Sequence, residues 1–101
     1  MDPVFAALAD PHRRTIIELL GDGPRNVTTL AAALPIARPG VSRHLRVLRE
    51  AGIVTAEAHA QERVYTLVPE SLREADEWLS ARAGFWRQRL DALDTELRRN
   101  S

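Results

Sequence analysis

The hydrophobic pattern of residues 37–52 predicts an amphipathic helix. Its apolar residues recur at i, i+4 and i+7, the spacing of one helix face, and they are Val41, Leu45 and Leu48. Pro39 suits a first helical turn, and Gly52 suits the residue that closes a last turn. Ala37 holds the natural N-cap position and has no side-chain oxygen, which costs about 1 kcal/mol relative to Ser or Thr.

Three shorter helices are predicted before this one. Asp2-Pro3 and Asp10-Pro11 each combine an acidic N-cap with a proline at the first helical position. The first helix should reach about Ala9, and the second should end at the breaker 21–24. The third follows Asn26 as VTTLAAAL, and Pro35 stops it. The tight turn 35–37 joins it to the basic helix, so we expect a helix-turn-helix over 27–51.

Two strands and a long helix are predicted for the rest. Residues 53–58 and 63–67 favour strands, and a hairpin over 53–67 directly after a helix-turn-helix is a wing. Its turn, HAQE, lacks the Asn-Gly or Asp-Gly signal. From Glu70 to about Arg99 the apolar residues follow the helical period, as Leu72, Ala75, Leu79, Ala83, Trp86, Leu90, Leu93 and Leu97.

This last helix would be about 45 Å long at 1.5 Å per residue, longer than a domain of this size is wide. Trp78 and Phe85 form a second apolar row beside the first. A helix that is apolar on two sides needs two partners, one its own domain and the other most simply a second copy. The helix could be continuous or interrupted, and Gly84 is the position where we expect any bend to lie.

The distribution of charge along the chain is more informative than its total. The chain has 14 arginines, no lysine and 14 acids, and a pI near 6.8 argues against a uniformly basic coat. Residues 23–49 nevertheless hold five arginines and no acid. The positive field is therefore concentrated on the helix-turn-helix, which favours DNA as its ligand.

Several classes of function are excluded or disfavoured by the composition. The chain has no cysteine, and no segment approaches the ~20 apolar residues that span a bilayer. His12, His44 and His59 fall on three different predicted elements, which disfavours a metal site. No enzyme constellation or cofactor motif emerges. We expect a cytoplasmic protein with no membrane association and no cofactor.

The chain resembles the ArsR-type winged-helix repressors, in the branch that lacks metal-binding cysteines. The matching pieces are FAALADPHRRTIIELL, TTLAAAL, RPGVSRHLRVLREAGIV, RVYTL, the WL and FW pairs, and RLDAL. The resemblance implies a mainly α fold with a small β-hairpin, as a single winged-helix domain over 1–101. It also implies a homodimer joined through helices 1–9 and 70–99, which binds a palindromic operator and represses transcription.

Candidate DNA contacts follow from the geometry of a recognition helix. Its first turns approach base edges, so we expect base contacts from Arg38, Gly40, Ser42 and Arg43. We expect phosphate contacts from Arg46, Gln61 and Arg63. Thr28 and Thr29 could bind a phosphate or simply cap the third helix, and His44 could contact a phosphate or play a structural role. For Arg13 and Arg14, pairing with Glu18 is favoured over DNA.

Candidate dimer contacts are the apolar residues of the first and last helices, namely Val4, Phe5, Leu8, Leu79, Ala83, Trp86, Leu90, Leu93 and Leu97. The aromatic residues Trp78, Phe85 and Trp86 could instead line a pocket for an apolar inducer, although packing in a dimer is favoured. The alternative function is a winged-helix module that binds another protein and does not contact DNA. The sequence does not identify an operator or an inducer.

Overall fold

The structure, a computed structural model, describes residues 2–100 as five helices and one three-stranded antiparallel sheet. The elements in chain order are α1 Asp2–Leu8, α2 Pro11–Gly21, β1 Arg25–Asn26, α3 Val27–Ala32, α4 Arg38–Glu50, β2 Val54–His59, β3 Glu62–Leu67 and α5 Pro69–Arg99. The predicted fold class is confirmed: α3 and α4 form the helix-turn-helix, β2 and β3 form the wing, and α5 is the long terminal helix.

Most predicted helix ends are confirmed by their capping groups. The Asp10 carboxylate accepts hydrogen bonds from the backbone N–H groups of His12 at 2.8 Å and Arg13 at 3.2 Å. The Asn26 side chain accepts from the Thr29 N–H at 2.8 Å. Ala37 makes no side-chain cap, and Gly52 has the positive φ of 77° that ends α4.

Two predicted helix boundaries are wrong. Asp2 lies inside α1 rather than before it, and α3 ends at Ala32 rather than Leu34. The chain after Ala32 tightens, with the Leu34 N–H bonded to the Ala31 carbonyl, because Pro35 disfavours helical backbone at Leu34. The sequence left open whether the last helix is interrupted near Gly84, and the structure shows α5 running unbroken through this residue.

The sheet has a strand that the sequence analysis missed. β1 has only two residues, Arg25 and Asn26, and it pairs with Tyr65 and Val64 of β3. The strand order is β1-β3-β2, and the β2–β3 register runs from Val54–Leu67 to His59–Glu62. Ala60 begins the two-residue turn of this hairpin with a φ of 57°, although glycine is the usual residue there.

The core lies between α4, the other short helices and the inner face of the wing. The three apolar residues of the α4 stripe are completely buried, which confirms its predicted inner face. The buried set comprises Val4, Ala7, Ile16, Leu20, Leu30, Leu34, Val41, Leu45, Leu48, Ile53, Val54, Tyr65 and Ala75. Within this core α4 packs against α1, α2, α3 and β2, which leaves its basic side facing outward.

Only the first turns of α5 belong to this core. Ala75 is buried and Leu72 is partly buried, whereas the large apolar residues from Trp78 to Leu97 are exposed. The molecule therefore extends 67 × 27 × 22 Å. No helix within residues 2–100 is long and apolar enough to cross a membrane.

Candidate nucleic-acid interface

The basic side of α4 forms one wall of an open groove. The opposite wall is β3 of the wing, and the groove has a volume of about 600 Å³. The residues that line it are Val27, Arg38, Pro39, Ser42, Arg43, Arg46, Arg49, Arg63 and Tyr65. Five of these nine residues are arginines, so the groove concentrates positive charge in a chain with no formal net charge.

A second, smaller groove of about 240 Å³ continues the first toward the wing turn. It is lined by Asn26, Val27, Thr28, Arg38, Gln61, Glu62 and Arg63. The two grooves share Val27, Arg38 and Arg63, and the Arg38 guanidinium lies 3.5 Å from the Thr28 hydroxyl. The first turns of α3 and α4 therefore meet at this surface.

Seven of the ten predicted DNA-binding residues line these grooves, namely Thr28, Arg38, Ser42, Arg43, Arg46, Gln61 and Arg63. Thr29, Gly40 and His44 do not. The Asn26 side chain caps the Thr29 N–H, so this N–H already has a partner, and both alternatives for the Thr29 hydroxyl stay predictions. Gly40 lies beside Ile36, whose Cδ1 would be 3.5 Å from an added Cβ.

His44 projects from α4 toward α2. One Arg13 guanidinium nitrogen lies 3.3 Å from His44 Nδ1, and Asp10 Oδ1 lies 3.9 Å from His44 Nε2. Only 15% of the His44 side chain is exposed. These contacts favour the structural alternative for His44, and its phosphate contact stays a prediction.

The protonation of His44 follows from these surroundings. Burial lowers the pKa of His44 below its ordinary value of 6.5, and the charges of Arg13, His12 and Arg43 act in the same direction. The Asp10 carboxylate acts in the opposite direction but does not outweigh them. These surroundings therefore favour the neutral ring at pH 7.

Arg49, Tyr65 and Glu62 line the grooves but were absent from the predicted set. Arg49 had a signal in the sequence, because it follows Arg46 by three residues and so continues the same helix face. Glu62 is an acid at the edge of the basic surface. On the neighbouring strand, Glu57 lies 3.4 Å from the His59 ring. The wing is thus less positive than α4.

Most candidate dimer residues are accessible. On α5, Leu79, Trp86, Leu90, Leu93 and Leu97 are each 49–62% exposed, and Ala83 is exposed as well. On α1, Phe5 and Leu8 are partly buried. Val4 is buried in the core of its own chain, so it offers little surface to a partner.

No group of three or more potential metal-ligating side chains occurs among residues 2–100.

Arg13 donates to α1 carbonyls and contacts His44, and Arg14 donates to the Leu8 carbonyl at 2.8 Å. Among residues 2–100 these bonds replace the predicted pair with Glu18, and they agree with the preference for a structural role over a DNA contact.

Comparison with known proteins agrees with this geometry. A protein-family model described as a helix-turn-helix domain matches residues 8–57. The transcriptional repressor SdpR of Bacillus subtilis is 32% identical over 79 residues, which cover 78% of this chain and 88% of SdpR. The transcriptional regulator Rv2034 of Mycobacterium tuberculosis is 46% identical over 71 residues. That match covers 70% of this chain but just under two thirds of Rv2034, at 66%.

Among solved structures, an ArsR-like transcriptional regulator from Rhodococcus sp. RHA1 superposes with a TM-score of 0.77 and 30% identity. The match covers 93% of this chain and 86% of the Rhodococcus chain. Both the sequence and the fold are therefore shared over nearly the whole molecule, including α5. The chain belongs to the ArsR family of winged helix-turn-helix transcriptional regulators.

Proposed function

We propose that this regulator is a homodimeric repressor that acts in the cytoplasm and binds a palindromic operator with α4 in the major groove. The observation that carries this proposal is the groove between α4 and β3, which five arginines line. An α-helix fits the major groove of B-DNA, and arginine is the side chain that most often makes specific contacts there. The similarity to the transcriptional repressor SdpR supports repression as the direction of regulation.

Position along α4 separates base contacts from phosphate contacts. Arg38, Gly40, Ser42 and Arg43 lie in the first two turns, where a recognition helix approaches base edges. Arginine can bind guanine O6 and N7 together, so Arg38 and Arg43 would select guanine.

The remaining groove residues suit the DNA backbone. Arg46 and Arg49 lie one and two turns further along α4, and Arg63 projects from the wing. Thr28 and Gln61 line the adjoining groove, where their polar side chains can donate to phosphate oxygens. The Glu62 carboxylate would repel a DNA phosphate, so we expect the wing to contribute less to DNA affinity than α4 does.

The exposed apolar face of α5 supports the homodimer. Large apolar side chains in a continuous exposed row mark an interaction surface. The spacings from Leu79 through Ala83, Trp86, Leu90 and Leu93 to Leu97 are 4, 3, 4, 3 and 4 residues. This series is the same from either end. A second copy running antiparallel can therefore place Leu79 opposite Leu97, and Trp86 opposite Leu90, about one twofold axis.

Such a dimer explains how a short recognition helix selects a site. One α4 covers few base pairs, whereas two copies related by a twofold axis can enter successive major grooves about 34 Å apart. A palindromic operator follows from that symmetry. Membership in a family of transcriptional regulators favours this function over the protein-interaction module considered from the sequence.

A DNA-binding titration tests the proposal. The probe is a duplex of about 30 base pairs, three helical turns, selected from a random pool by the wild-type protein. Replacing Arg43 by Ala should weaken binding by ~1–3 kcal/mol and relax preference at one base pair. Replacing Arg46 by Gln should weaken binding to all sequences and reduce the slope against salt by about 1.

Arg73→Gln is the matched control, because Arg73 is an exposed arginine on α5 outside both grooves. It should leave affinity and salt slope unchanged. If the Arg43 and Arg46 variants bind like the Arg73 variant, α4 is not the DNA-contacting element.

A further inference from the structure

We propose that Arg13 is a positioning residue that ties the recognition helix α4 to α1, and that protonation of His44 releases this tie. The proposal rests on the DNA-binding function of α4 for its biological meaning. The contacts that define it are measurable without DNA.

The first part of the tie is the pair of hydrogen bonds that Arg13 donates to carbonyls of α1. Its Nε donates to the Ala7 carbonyl at 2.7 Å, and its Nη2 donates to the Ala6 carbonyl at 3.0 Å. The last four carbonyls of a helix have no partner within the helix. The Arg13 guanidinium therefore caps the carboxyl end of α1, and its positive charge suits that end of the helix dipole.

The second part is the contact with α4. Arg13 Nη1 lies 3.3 Å from His44 Nδ1. A guanidinium can only donate hydrogen bonds, so Nδ1 must accept and the ring must carry its proton on Nε2. One planar group thus links backbone atoms of α1 to a largely buried side chain of the recognition helix.

Asp10 holds both members of the pair in place. Its Oδ1 accepts from the backbone N–H groups of His12 and Arg13, and it lies 3.9 Å from His44 Nε2. The Nε2–H tautomer that Arg13 requires is also the one that places a proton toward this carboxylate. The three side chains are therefore consistent with a single protonation state.

A second proton on His44 would disrupt this arrangement. Protonation at Nδ1 removes the only acceptor that Arg13 Nη1 uses on the ring and places two cations in contact. The charged and titratable groups facing the ring are Asp10, the N-cap of α2, His12 and Arg13 from α2 itself, and Arg43 from α4. Of these only Asp10 favours the protonated ring, so acidification opposes the tie and neutral pH favours it.

The position of α1 gives the tie its consequence. Phe5 of α1 packs against Trp78 of α5, with ring centroids 5.6 Å apart. The chain of contacts therefore runs from the proposed dimer helices through Arg13 and His44 to the helix that would bind DNA. Any shift of α1 in the dimer would be passed to α4.

Amide hydrogen exchange on the full-length protein tests the tie without DNA. Arg13→Gln should increase exchange in α4 as well as in α1. The matched control is Arg14→Gln, which loses a bond to the Leu8 carbonyl of α1 but makes no contact with His44. It should increase exchange in α1 only. Equal effects of the two variants on α4 would overturn the proposal.

The histidine is tested separately. Nitrogen NMR of the wild-type ring at pH 7 should show a protonated Nε2 and an unprotonated Nδ1, and the opposite tautomer would contradict the contact. Between about pH 7 and pH 5, protection of α4 should fall in the wild type. His44→Gln keeps an acceptor for Arg13 and cannot titrate, so its α4 protection should not change over this range. An unchanged pH dependence in His44→Gln would assign the effect to another group and refute the switch.

Binding to the selected duplex then connects the tie to function. Arg13→Gln should lower the affinity by about fivefold or more, a typical coupling between distant sites, and Arg14→Gln should not. Arg13→Lys keeps one donor and should restore part of the loss. If the wild type binds no DNA, the proposed function fails while the exchange and NMR results still decide the tie.

Discussion

The rings of Phe5 and Trp78 meet edge to face, with centroids 5.6 Å apart and planes inclined by 65°. This contact fixes α1 against the first turns of α5. The Arg82 guanidinium carbon also lies 4.3 Å from the Trp78 ring centroid, so the same indole takes part in a cation–π contact. Trp78 therefore joins the two helices that the dimer would use.

Replacing Phe5 by Leu should lower the free energy of unfolding, because it removes the edge-to-face pair but keeps an apolar side chain. The pair itself should account for about 0.5–1.5 kcal/mol. A double-mutant cycle with Trp78→Leu, followed by urea unfolding, isolates that term. A coupling energy near zero would show that the two rings touch without stabilising the fold.

Gly84→Ala should raise stability by up to ~1 kcal/mol, because glycine weakens a helix interior and no heavy atom beyond the neighbouring helix backbone lies within 4 Å of the added Cβ. Gly52→Ala is the opposite case. Its φ of 77° strains any L residue, so stability should fall by ~1–2 kcal/mol. Thermal unfolding of both variants measures the difference, and a loss of stability in Gly84→Ala would show that α5 needs a bend there.

Gly40→Ala separates folding from DNA contact. The added methyl would meet Ile36 at 3.5 Å, an ordinary packing distance, so unfolding should be unchanged or slightly less favourable. Gly40 lies outside both grooves, but α4 is predicted to bring its backbone close to the bases, so we expect the affinity of the variant for the selected duplex to fall. Unchanged affinity would remove Gly40 from the predicted contact surface.

Leu90→Asp should produce monomers, because it places a charge in the middle of the exposed apolar row, at a leucine that is 61% exposed. Light scattering measures the mass. Gln88→Asp is the control: it lies two residues away, about 200° around the helix, and should leave the mass unchanged.

The antiparallel pairing has its own test. Leu79→Asp should weaken the dimer, and adding Leu97→Arg should restore it by placing an opposite charge across the twofold axis at the solvated end of the row. Adding Leu90→Arg to Leu79→Asp should give no such rescue. Rescue by Leu90→Arg instead would indicate a different register.

Lowering the pH should destabilise the start of α2, because it protonates the Asp10 carboxylate that caps this helix. Slight burial acts to raise the pKa of Asp10, but the N–H groups of Arg13 and His12 and the charges of His44 and Arg13 lower it below 3.8. As the pH falls, Asp10 is therefore protonated in the unfolded chain before it is protonated in the folded one. Its contribution to the free energy of unfolding is complete above pH 3.8 and is lost as the pH falls through the lower pKa of the folded state. Asp10→Asn still caps the helix but does not titrate. Thermal unfolding at decreasing pH should show a smaller fall in melting temperature for this variant than for the wild type. An equal fall in both proteins would assign the effect to another group.

The elements that the sequence predicted well are those with a complete local signal. The stripe of α4, its proline and its closing glycine lie within sixteen residues, and all three were found in place. Asp10 and Asn26 were identified as caps because capping depends on a side chain and an amide two or three residues away.

The features that were missed depend on contacts between distant residues. β1 has two residues and no pattern of its own, and it is a strand only because Tyr65 and Val64 pair with it. The contact of Arg13 with His44 spans 31 positions in the chain, so no spacing rule could suggest it. Val4 was assigned to a partner because a short amphipathic helix does not show which side its own core will take.

The projecting half of α5 has a consequence for how the regulator responds to its own abundance. Two chains must meet before a paired DNA-binding unit exists under the proposed assembly. Well below the dissociation constant of that pair, its concentration varies with the square of the monomer concentration, by mass action. A halving of the protein level, as in cell division without new synthesis, would then remove about three quarters of the active species, and the regulated genes would respond steeply to dilution.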